Sequence, residues 1–397
     1  MSNKFVILKC AVGYVCLMIA VGAADAAISD DSSAPVIRLG GVTAHPGLSI
    51  VEKSDSNIFS SNANKRSSLI TVISPSVVLQ AKKDADAYSL AYRADVANYA
   101  QSSVDNYVDQ SLLGDAELSF STRATLKLSP EYKIGHDDRG STFGPGTLEP
   151  STWHSTGIAG SFSYGAEESR GRIVVDAGYQ DRQYENNRVV TIAYDKTLRD
   201  LAGAFYFRMS PKISTFVQVT DTHIAYKDIA STLNGDERRY LVGATWDATA
   251  QTSGSFKLGQ LQKKFNSGAR TNFTGTGWEG SVRWSPREFV RMDWVSGRKS
   301  SESTGVGNFV LVTNNMLDFG YDLSERTTLH FNAGKVTEDF KGTARTDNTE
   351  SFGLKAEYKL RSWLLGGVEY TDSVKTSTDP TANYNRNIFA VSIRSKL

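Results

Sequence analysis

Asp221-Thr222-His223 sets a carboxylate and an imidazole two residues apart, the spacing that brings both side chains to one face of a β-strand. His330 adds an imidazole in another segment of alternating polarity, where alternation turns it to the polar face. A carboxylate beside an imidazole can move protons in a hydrolytic reaction. A polar sheet face or rim yields the same pair, however, and no motif completes a catalytic set. The sequence contains no G-x-S-x-G elbow, H-E-x-x-H helix, paired C-x-x-C or phosphate-binding glycine loop. Its two cysteines, Cys10 and Cys16, both precede residue 20, so the remainder has no disulfide framework, thiolate nucleophile or thiolate metal site. These residues predict a protein that is not an enzyme and carries neither cofactor nor metal.

The more numerous chemistry is cationic. Alternation places Arg123, Lys127, Lys133, Arg172, Arg182, Arg208, Lys257, Arg283, Arg291, Lys355 and Lys359 on polar strand faces. Glu117, Asp176, Glu279, Asp293, Asp318, Glu357 and Glu369 oppose them. Guanidinium groups meet carboxylates bidentately, so a channel lined this way could bind and pass an acidic polymer. Neighbouring strands could equally tie the same charges into cross-strand ion pairs that hold a polar lumen together. With 44 basic and 43 acidic residues the net charge is +1, which gives no bulk attraction to nucleic acid.

The elements that must position these groups are strands. In Ile173 to Tyr179 the apolar set is Ile173, Val175, Ala177 and Tyr179; in Phe352 to Leu360 it is Phe352, Leu354, Ala356, Tyr358 and Leu360, against Lys355, Glu357 and Lys359. Trp284 to Lys299 repeats the pattern, with Arg291 and Asp293 set between Val290, Met292 and Trp294. Strands of this length, apolar on one face and charged on the other, suit lipid on one side and water on the other. Beyond the N-terminus no apolar run approaches the ~20 residues of a membrane helix.

Connections come in two kinds. Ser129-Pro130, Ser210-Pro211 and Ser285-Pro286, echoed by Ser324-Glu325 and Arg361-Ser362, predict tight turns, with further turns at 165–171 and 247–254. Longer polar loops are expected at 55–66, 137–155, 227–236, 300–307, 339–348 and 376–383; that at 137–155 is the longest, and folds inward as a constriction or stays at the surface. Aromatic residues gather near strand ends: Tyr132, Trp284 and Trp363 beside turns, and Tyr184, Tyr226, Tyr240, Trp294 and Tyr370 towards loops, as interfacial girdles do. Short turns alternating with long loops predict an all-β fold, a transmembrane antiparallel barrel of about 18 strands, with 16 the next choice, of the bacterial outer-membrane type. Lys4 and Lys9, the apolar run from Cys10 to Ala20 and Ala24-Asp25-Ala26 form a secretory signal, removed after residue 26. The expected division is a signal peptide at 1–26, a periplasmic segment at 27–42 and the barrel at 43–397, with outer-membrane lipid as its surround.

The opening of the mature chain adds a resemblance. "RLGGVTAHPGLSIVEKSDSNIF" at 38–59 and "SLITVISPSVVLQ" at 68–80 resemble the start of the outer-membrane β-barrel porins encoded in bacterial exopolysaccharide operons. Arg38, His45-Pro46, the 55–59 turn, Leu69-Ile70 and Ser74-Pro75 carry it. The resemblance implies a conduit or accessory for exopolysaccharide export, working with periplasmic polysaccharide-export proteins. A general diffusion porin for small solutes is the nearest alternative, and a structural assembly factor or barrel hydrolase the next.

Overall fold

A computed structural model describes residues 37–141, 147–166, 168–249, 251–302 and 305–396; the signal peptide expected at 1–26 lies outside the described residues. The strands are β1 (Ile37–Leu39), β2 (Val42–Asp55), β3 (Ser68–Lys83), β4 (Asp86–Tyr99), β5 (Tyr107–Ser121), β6 (Ala124–Asp137), β7 (Ser151–Tyr164), β8 (Gly171–Tyr184) and β9 (Lys196–Ser210). They continue as β10 (Ile213–Tyr226), β11 (Gly235–Thr249), β12 (Thr252–Phe265), β13 (Phe273–Arg287), β14 (Val290–Glu302), β15 (Phe309–Asp322), β16 (Thr327–Lys341), β17 (Thr346–Arg361), β18 (Leu364–Ser377) and β19 (Tyr384–Lys396). Each of β2 to β19 pairs antiparallel with its neighbours in sequence, and β19 pairs with β2, which closes an 18-stranded barrel.

The apolar half of each alternating strand faces out. Ile393, Ile50, Ile73 and Val96 stand side by side across four strands, each 41–51% exposed. A protein leaves such a band uncovered where lipid covers it. Trp284, Trp294, Trp363, Tyr240 and Tyr370 lie on this outer face, whereas Tyr184 and Tyr226 are buried inside the barrel and belong to no girdle. Most turns are two residues long, as at Asp84-Ala85, Pro211-Lys212, Glu288-Phe289 and Ser362-Trp363.

Two sequence expectations are corrected. Ser129-Pro130 is no turn but lies in the middle of β6. The β5–β6 ladder skips a step there, since Leu113 pairs with Glu131 and the next pair is Ala116 with Leu128. Proline has no N–H to donate, and Gly114 makes room for its ring: a Cβ on Gly114 would sit 2.9 Å from Pro130 Cγ. The longest loop is also shorter than expected, because β7 begins at Ser151 and takes Trp153 and His154 into the wall.

The chain ends meet at one seam. Lys396 lies opposite Gly47 and Ile37 opposite Ala44, so β1 continues the edge of β2 where β19 runs out. The sheet therefore reaches into the segment 27–42, turning back through Gly40 at φ 63°.

Candidate functional site

The lumen is narrowed at the loop end by a hairpin that leaves the wall. β13 and β14 pair up to Trp278 and Arg298 and no further, although β13 begins at Phe273 and β14 runs to Glu302. β14 keeps β15 to the tip, where Glu302 lies opposite Phe309. Ser300 and Glu302 share the strand face of Met292 and Trp294, which lower down meets lipid. Yet Ser300 donates to Glu237, Lys263 pairs with Glu302, and the Tyr226 hydroxyl donates to Glu302 at 3.1 Å. Those partners line the inner faces of β10, β11 and β12, so the upper ends of β14 and β15 lie inside the barrel.

Burial on both faces agrees with this placement: Phe309, Val310 and Leu311 are at most 1% exposed. Phe309 and Leu311 pack on Phe265 and Phe273, while Val310 and Val312 pack on Val336 and Phe340. Gly277 lets the hairpin backbone come close, since a Cβ there would lie 3.2 Å from the Arg298 carbonyl oxygen and 3.7 Å from Leu261 Cβ. At the tip a Cβ on Gly305 would lie 2.6 Å from the Tyr194 hydroxyl in the β8–β9 loop, so the hairpin spans the lumen from β14 to β8.

The opposite side is filled by the β2–β3 loop. Ile58 packs on Ile70, Val72 and Ala97, with Phe59 and Tyr107 against them. Arg386 of β19 clamps Asp55 at 2.5 Å, which fixes the root of this loop to the last strand. The β6–β7 loop docks on top: Arg139 lies 4.2 Å from the Phe59 ring centroid and pairs with Asp105. His136, stacked on Tyr107 at 3.9 Å, bonds Asp109 at 2.9 Å through one ring nitrogen and Asp138 at 3.0 Å through the other. Burial pushes the Asp138 carboxyl up, but the His136 hydrogen bond and charge, with Arg386 and Lys53, pull harder and hold it below the usual carboxylate range.

The register places the charged candidates as follows. Lys127 pairs with Glu117 at 2.8 Å, Arg182 with Asp137 at 2.9 Å, Lys257 with Glu279 at 3.3 Å and Lys355 with Glu357 at 2.8 Å. Arg283 and Arg291 share Asp293 at 2.6 and 3.3 Å. Arg172 lies over the Tyr206 ring at 4.8 Å, and Arg208 donates to the Glu168 and Pro211 carbonyls. Lys359 has no ion-pair partner among the described residues. Arg123 stands in the β5–β6 turn instead of on a strand face. Lys127, Arg182, Lys257 and Arg283 thus pair across strands and Arg291 and Lys355 within one, so six of these ten side chains are in ion pairs.

The imidazoles do not form the pair their spacing suggested. Asp221 takes Arg238 at 2.9 Å and His223 takes Asp236 at 2.7 Å, both on the outer face near the loop rim. His330 does face the lumen, 3.7 Å from Asp318 and 3.8 Å from Glu357.

Sequence reasoning missed Lys263, Lys299, Glu237 and Glu302, because it treated 300–307 as an ordinary polar loop. One signal was present: Phe309-Val310-Leu311-Val312 breaks the alternation, as a strand buried on both faces does.

No curated protein sequence matches the chain. Among solved structures, OpdK of Pseudomonas aeruginosa, crystallised with vanillate, aligns at a TM-score of 0.51 and 10% identity over 89% of this chain and 99% of that one. OpdQ of the same organism aligns at 0.50 and 11%, over 90% and 100%. At such identities the likeness is one of fold. The model of the family described as "Putative beta-barrel porin 2" matches residues 34–397, almost the whole chain. The chain belongs to that family: it is a porin-type β-barrel channel protein of the bacterial outer membrane.

Proposed function

We propose that this barrel is a diffusion porin for small polar solutes and not a conduit for an exopolysaccharide. The observation that carries the reading is the β14–β15 hairpin, buried on both faces and held across the lumen by Lys263, Glu237, Glu279 and Tyr226. With the β2–β3 loop filling the opposite side, an extended polymer chain would have to displace a packed element, whereas a small solute passes beside it. The charged lumen is non-enzymatic on this reading, since its carboxylates and cations are engaged with one another, as between Arg283, Arg291 and Asp293.

Liposome swelling with sugars of increasing length tests this. Entry of mono- and disaccharides with a sharp loss for longer oligomers is the expected result, and replacing 299–312 by a short turn should raise the size limit. Passage of long polymers by the unaltered protein, or a loss of secreted polysaccharide on deleting the gene, would instead restore the export reading.

A further inference from the structure

The carboxylate of Glu279 is shared by three cations. Arg239 donates to it at 2.9 Å, Lys299 lies at 2.8 Å and Lys257 at 3.3 Å. Lys257 reaches it from the barrel wall and Lys299 from the inserted hairpin, one residue past Arg298, the last to pair with β13. With Glu237 also 3.8 Å from Arg239, three positive charges against two negative leave the cluster cationic. Among the described residues two similar lumen groups are balanced by further acids: Asp293 with Arg283 and Arg291 has Asp318 on the adjoining strand, and Glu357 with Lys355 and Arg394 has Glu369 opposite Lys355.

Donor capacity is in surplus as well. Lys257 spends one further bond on Gln218 at 3.3 Å. Thr220 and Arg239 are register partners, 1% and 9% exposed, yet the Thr220 hydroxyl and Arg239 Nε have no hydrogen-bond partner. Buried donors left open are costly, and native proteins fill them with a ligand or water. The acids ion-paired nearby reduce the surplus without cancelling it: Glu237 lies 3.8 Å from Arg239 and 3.9 Å from Lys263, and Glu302 pairs with Lys263, so four cations face three carboxylates.

We propose that Lys257 and Lys299, held in place by Glu279 and backed by Arg239, form a binding site for an oxyanion, a carboxylate or phosphate group of a passing solute, at the foot of the inserted hairpin. The Lys257 and Lys299 side chains are 20% and 24% exposed, so a solute in the lumen reaches them without unfolding the cluster. The guanidinium behind them is too buried to be met alone, and acts by holding Glu279 and the field in place. The inference rests on the porin reading, and makes the channel selective for anions.

The test is planar-bilayer recording of the full-length mature barrel in a potassium chloride gradient, with acetate and inorganic phosphate as probes. The unaltered channel is expected to favour anions, and its chloride current to be inhibited by millimolar acetate or phosphate. In Lys257→Gln/Lys299→Gln the anion preference should fall about tenfold, the low end of what a focused field does to local ion concentration. Inhibition should vanish with it, while Lys257→Arg/Lys299→Arg keeps both. Heat-dependent gel migration reports that each variant is a folded barrel. A conducting channel whose preference and inhibition survive the glutamine changes, or one that favours cations from the start, would overturn the site and leave the porin reading standing. A folded barrel with no conductance at all would overturn both.

Discussion

Lys263→Met tests whether the hairpin is held by what the structure places around it. The Lys263 side chain is fully buried, and its partner Glu302 is 13% exposed. Methionine keeps the packing on Phe309, whose ring lies 5.4 Å from the ammonium, and removes only the charge. Breaking one partner of a buried ion pair strands the other charge and costs about 3–5 kcal/mol. Glu302 retains the Tyr226 hydroxyl, so the lower figure applies. About 3 kcal/mol shifts the hairpin between docked and undocked positions by roughly 100-fold. In bilayers the variant should then show larger, noisier conductance with open substates, and amides of 299–302 should exchange faster than those of β12. Lys263→Met/Glu302→Gln strands no charge and should recover most of the loss. If the single variant conducts and exchanges as the unaltered protein does, the pair does not hold the hairpin, and the account of the narrowed lumen fails with it.

Three other expectations follow from particular contacts. Gly114→Ala should cost about 1–3 kcal/mol through collision with Pro130, and Pro130→Ala should restore the denaturation midpoint; a neutral Gly114→Ala would show that the ladder gap has another cause. Asp138, held below its usual range, stabilises the docked β6–β7 loop at every pH above the free carboxyl value of about 3.9, and that contribution goes only as pH falls through the lowered folded value. The protection of the 138–141 amides relative to their intrinsic exchange rates should thus be unchanged from pH 7 to 5 and fall only in stronger acid; loss of protection already at pH 5 would refute it. Val242, 55% exposed on the outer face, should tolerate leucine, while Val242→Arg should cost about 2–4 kcal/mol if it lies near the bilayer midplane; a neutral arginine would place that face in water.

The strands were legible because alternation is a property of neighbouring residues. Ile173 to Tyr179 and Phe352 to Leu360 show which side meets lipid in any barrel that contains them, since a one-residue slip would bury every lysine in hydrocarbon. Strand number followed from turns and loops for the same local reason. Ser129-Pro130 misled because a proline can sit inside a wall where no ladder bond is asked of its missing N–H, and the gap that allows it here lies beside Gly114, 16 positions away in sequence.

Charge pairing was legible only in type. Alternation placed Arg283, Arg291 and Asp293 on one face, but whether they bind each other or a solute depends on the stagger between β13 and β14, which sets Arg283 directly opposite Asp293. The hairpin was not legible from spacing at all. Its run Phe309 to Val312 is apolar on both sides, which signals burial but not by what.

By itself, then, the sequence determined a closed sheet with a lipid face and a charged interior, because period and burial are written residue by residue. Only the tertiary structure decided that β14 leaves β13 above Arg298 and carries Lys299 and Glu302 inward onto Glu279 of β13 and Lys263 of β12. That choice turns on contacts between residues 39 apart, such as Lys263 with Glu302, whose energies no local pattern contains.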